Sequence, residues 1–148
     1  MTKKVIDKFD GEYAFLSNFS NSILYDTDGI EYPTVEHYFQ AQKTLDFDTR
    51  LKIAAAPTPG KAKGIGRHVY LRTDWNNVKI DIMRDALIQK FSDKKLQKKL
   101  IETGDAELIE GNWWHDNFYG DCHCEKCRDI IGENHLGKLL MDIREKLK

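Results

Sequence analysis

The apolar positions of this chain follow two periods, and the switches between them divide it into short elements. Residues 5–9, Val-Ile-Asp-Lys-Phe, suit a short first strand. Tyr13 to Phe19 is aromatic-rich but broken by Ser17 and Asn18. That pattern suits a pinned loop in which Phe15, Leu16 and Phe19 serve as anchors while the hydroxyl and the amide face a pocket. Ser22–Tyr25 and Gly29–Tyr32 read as a hairpin around the turn signal Asp26-Thr-Asp-Gly29. The period then becomes helical over Thr34–Leu45. On a wheel of about 100° per residue, Glu36, Gln40 and Lys43 fall on one narrow stripe, with Val35, Tyr38, Gln42 and Leu45 on or near the opposite side. Thr34 is placed to cap the first turn, and Pro33 stiffens the extended segment before it.

Further helices are predicted over Thr49–Ala56, stopped by Pro57 and Pro59, and over Asp74–Ser92, with Asp74 as cap and Trp75, Val78, Ile82, Ala86 and Leu87 as the buried side. Lys94–Thr103 forms another, closed by Gly104, and Leu136–Leu147 a last one with Leu136, Leu139, Leu140, Ile143 and Leu147 along its apolar stripe. Ala106–Glu110 suits a strand, whereas residues 111–134 show no strong period. Residues 58–67, Thr-Pro-Gly-Lys-Ala-Lys-Gly-Ile-Gly-Arg, read as a basic, glycine-rich turn. Its backbone amides, with Lys61, Lys63 and Arg67, suit a phosphate, although the Gly-Lys-Ser/Thr ending of a nucleotide-binding P-loop is missing. No repeat, low-complexity tract or linker interrupts the pattern. The expected fold is a single α+β domain over residues 1–148, mostly helical with a small sheet.

Composition narrows the classes of function. The 148 residues are 41% hydrophobic and 32% charged, as in ordinary soluble domains, and the net charge of −1 provides no broad basic field for nonspecific nucleic-acid binding. The N-terminal Met-Thr-Lys-Lys has no apolar core of a signal sequence, and no run approaches the length of a membrane span, so a cytoplasmic protein without a membrane partner is expected.

Two stretches carry candidate chemistry. By spacing alone, the Glu36–Gln40–Lys43 stripe is read most simply as a solvated Glu/Lys ladder. The loop 111–134 concentrates Trp113, Trp114, His115, Asp116, Phe118, Tyr119 and three cysteines, and a loop of this length and aromatic content is characteristically functional. Asp116 is its one carboxylate among aromatic residues, suited to a catalytic or ribose-binding role. Cys122, Cys124 and Cys127 would need a fourth ligand from His115, His123 or His135 to hold zinc. Structural zinc sites usually draw on two separated pairs, so three free thiols are the expectation, with neither metal nor cofactor.

With these pieces in order, the chain resembles the NADAR, or YbiA-like, family of N-glycosidases over nearly its whole length. The matching segments are Phe15-Leu-Ser-Asn-Phe19, Asp28-Gly-Ile-Glu-Tyr-Pro-Thr-Val-Glu-His-Tyr-Phe-Gln-Ala-Gln-Lys43, residues 58–67, Asp74-Trp-Asn-Asn-Val-Lys79 through Met83, Thr103–Glu110, Asp116-Asn-Phe-Tyr-Gly120 and Gly132–Met141. Tyr119 departs from the family's usual tryptophan before the glycine, and the cysteines fill a stretch that is often glycine-rich in relatives.

The resemblance implies cleavage of the bond between ribose C1 and an exocyclic amine. The substrate is either ADP-ribosylated guanine in nucleic acid or a phosphoribosylamino-pyrimidine intermediate of riboflavin synthesis. Expected partners are thus ADP-ribosylated nucleic acid or a nucleotide-like small molecule, with a cognate ADP-ribosyltransferase toxin as a further candidate. Glu36, Lys43 and Asp116 are the expected catalytic residues, with Lys43 as covalent nucleophile. Asn18, Phe19, Gln40, Arg67, Trp75, Tyr119, Gly120 and Asn134 are the expected substrate contacts. A non-catalytic ADP-ribose-binding module would need Arg67 and the aromatics but not Glu36 and Lys43 together, and a zinc-bearing nucleic-acid adaptor would need a basic face.

Overall fold

In the computed structural model, which describes residues 4–148, six helices and three small two-stranded sheets account for most of the chain. The class is the expected one, α+β and mostly helical. Contacts gather into two compact units. Asn18–Lys90 makes one, while the N-terminal segment ending at Ser17 and Phe91–Lys148 together make the other.

The first of these units starts from the hairpin β2 (Asn21–Tyr25) and β3 (Glu31–Thr34), antiparallel as expected, with Leu24 opposite Tyr32. Asp26 makes the turn: its Oδ1 accepts from the N–H groups of Asp28 and Ile30, and its Oδ2 accepts from the Tyr32 hydroxyl at 2.7 Å. Helices α1 (Val35–Ala41), α2 (Phe47–Ala54), α3 (Pro59–Gly66) and α4 (Trp75–Lys90) follow. Ile30, Tyr32, Ala41, Ile53, Ala56 and Ala62 form the core between hairpin and helices. Arg50 on α2 lies 3.8 Å from both buried Asp26 and exposed Asp28 and donates through Nε to Thr44 O, so the hairpin turn and the second helix share one polar knot.

In the other unit β1 (Val5–Ile6) pairs in parallel with β4 (Glu107–Leu108), and a 3-10 helix covers Gly11–Leu16, where the sequence suggested an irregular loop. Helices α5 (Lys94–Glu102) and α6 (His135–Leu147) pack together, with Leu136, Leu139, Leu140 and Ile143 buried as the stripe predicts. The aperiodic loop contains the short parallel pair β5 (Gly111–Asn112) and β6 (Asp121–Cys122). No described helix is long and apolar enough to cross a membrane.

Two local expectations need correction. Asp74 does not cap α4 with its side chain; its carboxylate is gripped by Arg72 through Nε and a terminal nitrogen at 2.6 and 3.1 Å. The buried side of α4 consists of Trp75, Met83, Ala86, Leu87 and Lys90, with Val78 and Ile82 only half covered. Lys90 sits seven residues beyond Met83 on the same apolar stripe, 1% exposed, and its Nζ donates to Ser20 Oγ at 3.0 Å.

Burial pushes the Lys90 ammonium down from 10.5 to about 7. Between those values the unfolded chain binds the proton and the folded chain does not. Stability therefore rises with pH across that window, by about 1.4 kcal/mol per pH unit, and the penalty is largest below it. Lys90→Met is expected to raise the unfolding free energy by a few kcal/mol below about pH 7 and to converge on wild type above about pH 10. Urea unfolding at a series of pH values reads this; a pH-independent difference would contradict it.

Candidate active site

Helix α1 is short and wrapped on nearly all sides, packed by β2, β3, α2, α3 and α4. Thr34 caps it as expected, accepting from the His37 N–H at 3.1 Å. His37 bridges Thr34 Oγ1, 2.7 Å from Nδ1, and the Ala56 carbonyl, 2.9 Å from Nε2, so it is a satisfied core histidine that fixes the rotation of the helix. With that rotation fixed, Glu36 and Gln40 are buried, at 8% and 3% exposure. The polar stripe is therefore not a solvated ladder, which is the simpler reading of its spacing.

Within the stripe, Glu36 Oε1 accepts from Gln40 Nε2 at 2.8 Å. The Glu36 N–H donates to Asn18 O at 3.1 Å, fastening the loop after Ser17 to the first turn of α1. Asn18 is itself buried, with Nδ2 3.6 Å from Met83 Sδ. Asn18 Oδ1 and Gln40 Oε1 are buried acceptors with no hydrogen-bond partner among the described residues. Leaving such a group unpaired costs about 1–3 kcal/mol, which makes both acceptors candidates for a ligand's donors. Gly66 on α3 is what lets this arrangement form: a Cβ there would collide with the Gln40 amide oxygen.

Lys43 lies just beyond the helix. α1 ends at Ala41 with Gln42 as its C-cap, not at Leu45, which is 70% exposed. The Lys43 N–H closes a turn onto Gln40 O at 3.2 Å, and its carbonyl accepts from the Arg72 N–H at 2.8 Å. Burial lowers the pKa of its half-buried amine from the ordinary lysine value; Lys63 and Arg67 push the same way, and Glu36 opposes them. The acid, the amide and the amine expected along one line are thus brought together, with a lysine and an arginine in their field.

The other expected residues are placed less uniformly. Residues 59–66 are helix α3, capped by Thr58, and not a turn. Amides such as Ala62 N–H and Arg67 N–H donate to carbonyls one turn back, so the expected backbone cradle for phosphate is lost while the Lys63 and Arg67 side chains remain. Phe19 is 46% exposed beside Asn18. Trp75 is only 7% exposed and packs on Phe39 with ring centroids 5.1 Å apart, so its ring belongs to the core and not to a base-stacking wall.

Asp116, Tyr119, Gly120 and Asn134 lie in the unit that contains α5 and α6. Asp116 Oδ1 accepts from the N–H groups of Phe118 and Tyr119 at 3.0 and 2.9 Å, and the Asn112 amide holds the Asp116 backbone on both sides. Tyr119 is half-buried, its ring packed edge-on to Phe118 at 4.8 Å. Gly120 has no room for a side chain, because a Cβ would meet Glu110 O. Asn134 is tied into the fold: its amide donates to Leu108 O and accepts from the Glu110 N–H, so it joins β4 and the residues just after it to the start of α6.

Fold and site together define an α+β protein with a sheltered acid–amide pair and a lysine whose amine is shifted toward neutrality, a combination suited to acid–base and nucleophilic chemistry. The chain belongs to the NADAR domain family, whose model matches residues 6–148. N-glycosidase Npun_R5314 of Nostoc punctiforme is 41% identical over 142 residues, covering 92% of this chain and 86% of the relative. Escherichia coli N-glycosidase YbiA is 40% identical over 139 residues, covering 92% of this chain and 82% of the relative. Its NMR structure matches with a TM-score of 0.79 over 99% of this chain and 87% of that one. Riboflavin biosynthesis protein VVA0006 of Vibrio vulnificus is 34% identical over 142 residues, which cover 94% of this chain and 37% of that protein. The enzyme class is that of a glycosyl hydrolase acting on N-glycosidic bonds.

The field around Lys43 can be tested without a substrate. Glu36→Gln removes the opposing negative charge and is expected to lower the Lys43 pKa further, whereas Arg67→Ala is expected to raise it. NMR titration of the Lys43 side chain reads both shifts; no movement in either variant would show that the amine does not sense this cluster.

Proposed function

We propose that this protein hydrolyses the bond between ribose C1 and the exocyclic amine of guanine, releasing ADP-ribose from modified nucleic acid. The observation that carries the reading is the pairing of buried Glu36 with Lys43, whose amine is held below its ordinary pKa by burial and by Lys63 and Arg67. A binding module has no use for an activated amine beside a carboxylate.

In this mechanism the ribose opens as its C1–O4′ bond breaks and the proton of the exocyclic N–H passes to O4′, leaving C1 as an imine to the base. The neutral Lys43 Nζ adds to C1, the base nitrogen leaves with a proton delivered by Glu36, and a Schiff base joins Lys43 to the sugar. Water activated by the Glu36 carboxylate adds to that Schiff base and frees the sugar aldehyde, regenerating the amine. Gln40 keeps the Glu36 carboxylate oriented through its 2.8 Å hydrogen bond. The open acceptors Asn18 Oδ1 and Gln40 Oε1 would receive sugar hydroxyls or base N–H groups. Lys63 and exposed Arg67 would meet phosphate oxygens. The nucleic-acid substrate is favoured by exposed aromatic rings suited to stacking on bases in the same unit as Glu36 and Lys43: Phe19 and Tyr70.

A second reading has its own support. The similarity to a protein named for riboflavin biosynthesis favours a phosphoribosylamino-pyrimidine, which joins the same kind of amine to the same ribose carbon. Mass-spectrometric assays on an ADP-ribosyl-guanine oligonucleotide and on the phosphoribosylamino-pyrimidine, run in parallel, separate the two. Release of ADP-ribose with intact guanine is expected; ribose 5-phosphate from the pyrimidine alone would transfer the assignment to the second reading. Glu36→Gln and Lys43→Ala are each expected to lose about 10²–10⁴-fold in rate on the cleaved substrate, and full activity of Lys43→Ala would exclude the covalent route.

A further inference from the structure

The cysteine-bearing loop does not need a second ligand pair downstream, because the chain supplies its fourth donor from upstream. One ligand atom each from His115, Cys122, Cys124 and Cys127 lies within 4.8 Å of all the others. His115 Nδ1 is 3.3 Å from the sulfurs of both Cys124 and Cys127 and 4.0 Å from that of Cys122. A tetrahedral zinc ion with bonds of about 2.3 Å to sulfur and about 2.0 Å to nitrogen needs sulfur–nitrogen edges near 3.5 Å, and the observed separations bracket that value. We propose that these four residues form a structural zinc site.

The surroundings are built for it. Cys122 begins the motif on strand β6, and a 3-10 turn at Glu125–Cys127, closed by the Cys127 N–H on Cys124 O at 3.1 Å, folds the last cysteine back toward the first two. His115 is one of two described non-glycine residues with positive φ, at 69°. That conformation is unfavourable for a side-chain-bearing residue and calls for something that holds it; a bond from Nδ1 to metal does so. Outer contacts point at the sulfurs: the His115 N–H is 3.3 Å from Cys122 Sγ, and Asn117 Nδ2 is 3.4 Å from Cys127 Sγ. Asn117 Oδ1 meanwhile accepts from the Cys122 N–H, so one side chain braces two ligand residues.

The other two histidines are directed elsewhere. His123 lies 3.4 Å from the Asp121 carboxylate and edge-on to Trp113, while His135 packs on Phe118 at 4.4 Å. Three thiolates and one imidazole complete a tetrahedron and leave no open position, so the ion is a clamp and not a reaction centre. What it clamps is residues 115–127, the span that contains Asp116 and the Asn117-Phe-Tyr-Gly120 segment.

The test uses the full chain, stripped with a chelator under reducing conditions, loaded with zinc and desalted. Plasma mass spectrometry is expected to find about one zinc per chain, near background in Cys124→Ser and His115→Ala, and wild-type content in His123→Ala. Should the ligand variants fail to fold, cobalt(II) titration of the wild-type apoprotein decides. Tetrahedral d–d bands and thiolate charge-transfer absorption saturating at one equivalent support the site. Wild-type protein that retains no zinc, gives only the pale spectrum of hydrated cobalt and keeps three freely reactive thiols would overturn it, as would loss of zinc in His123→Ala with retention in His115→Ala.

Discussion

Burying a carboxylate is expensive, and the Asn18–Lys90 unit is organised around doing so at Glu36. An isolated charge taken out of water is tolerated only with compensating hydrogen bonds or opposite charge. Here Gln40 supplies a hydrogen bond, and the Lys43 amine, which feels the Glu36 charge, supplies an opposite charge nearby. The same environment acts in reverse on Lys43, whose ammonium loses solvation and sits near two other cations. One arrangement thus holds an acid in place and lowers the pKa of an amine, and His37 pins the rotation of α1 between Thr34 and Ala56.

That dependence explains why some of the site could be read from the chain and some could not. Glu36, Gln40 and Lys43 were legible as a stripe because helical periodicity is written in spacing. Whether the stripe was wet or dry was not, because burial depends on α2, α3 and α4 arriving from later in the chain. The segment 58–67 misled for a related reason. Its glycines suggested backbone open to phosphate, yet Gly66 serves a close approach to Gln40, and Pro59 after Thr58 is equally a helix start. Asn134 and Trp75 share one lesson: a polar or aromatic residue inside a matching motif can be there to hold the fold, as the staple to Leu108 and Glu110 and the packing on Phe39 show.

The α5–α6 unit shows a different limit. Its helices and their apolar stripes follow directly from periodicity, whereas the loop between β4 and α6 has little regular structure and is shaped by side chains. Asn112, Asp116 and Asn117 each bond to loop backbone, and the cysteines converge with His115 on one point. Spacing alone favoured free thiols because the cluster looked one-sided. The nearby donor is His115, one of three histidines the sequence offers; it is singled out by its left-handed conformation seven positions upstream of the first cysteine, which spacing does not encode.

The central claim is that Lys43 carries the sugar covalently. The most direct measurement is borohydride trapping during turnover of the substrate the enzyme cleaves, followed by peptide mapping. The account predicts a reduced adduct of sugar mass on Lys43, absent in Lys43→Arg and without borohydride. Rapid turnover with no adduct, or an adduct confined to another lysine such as Lys63 or Lys90, would contradict it.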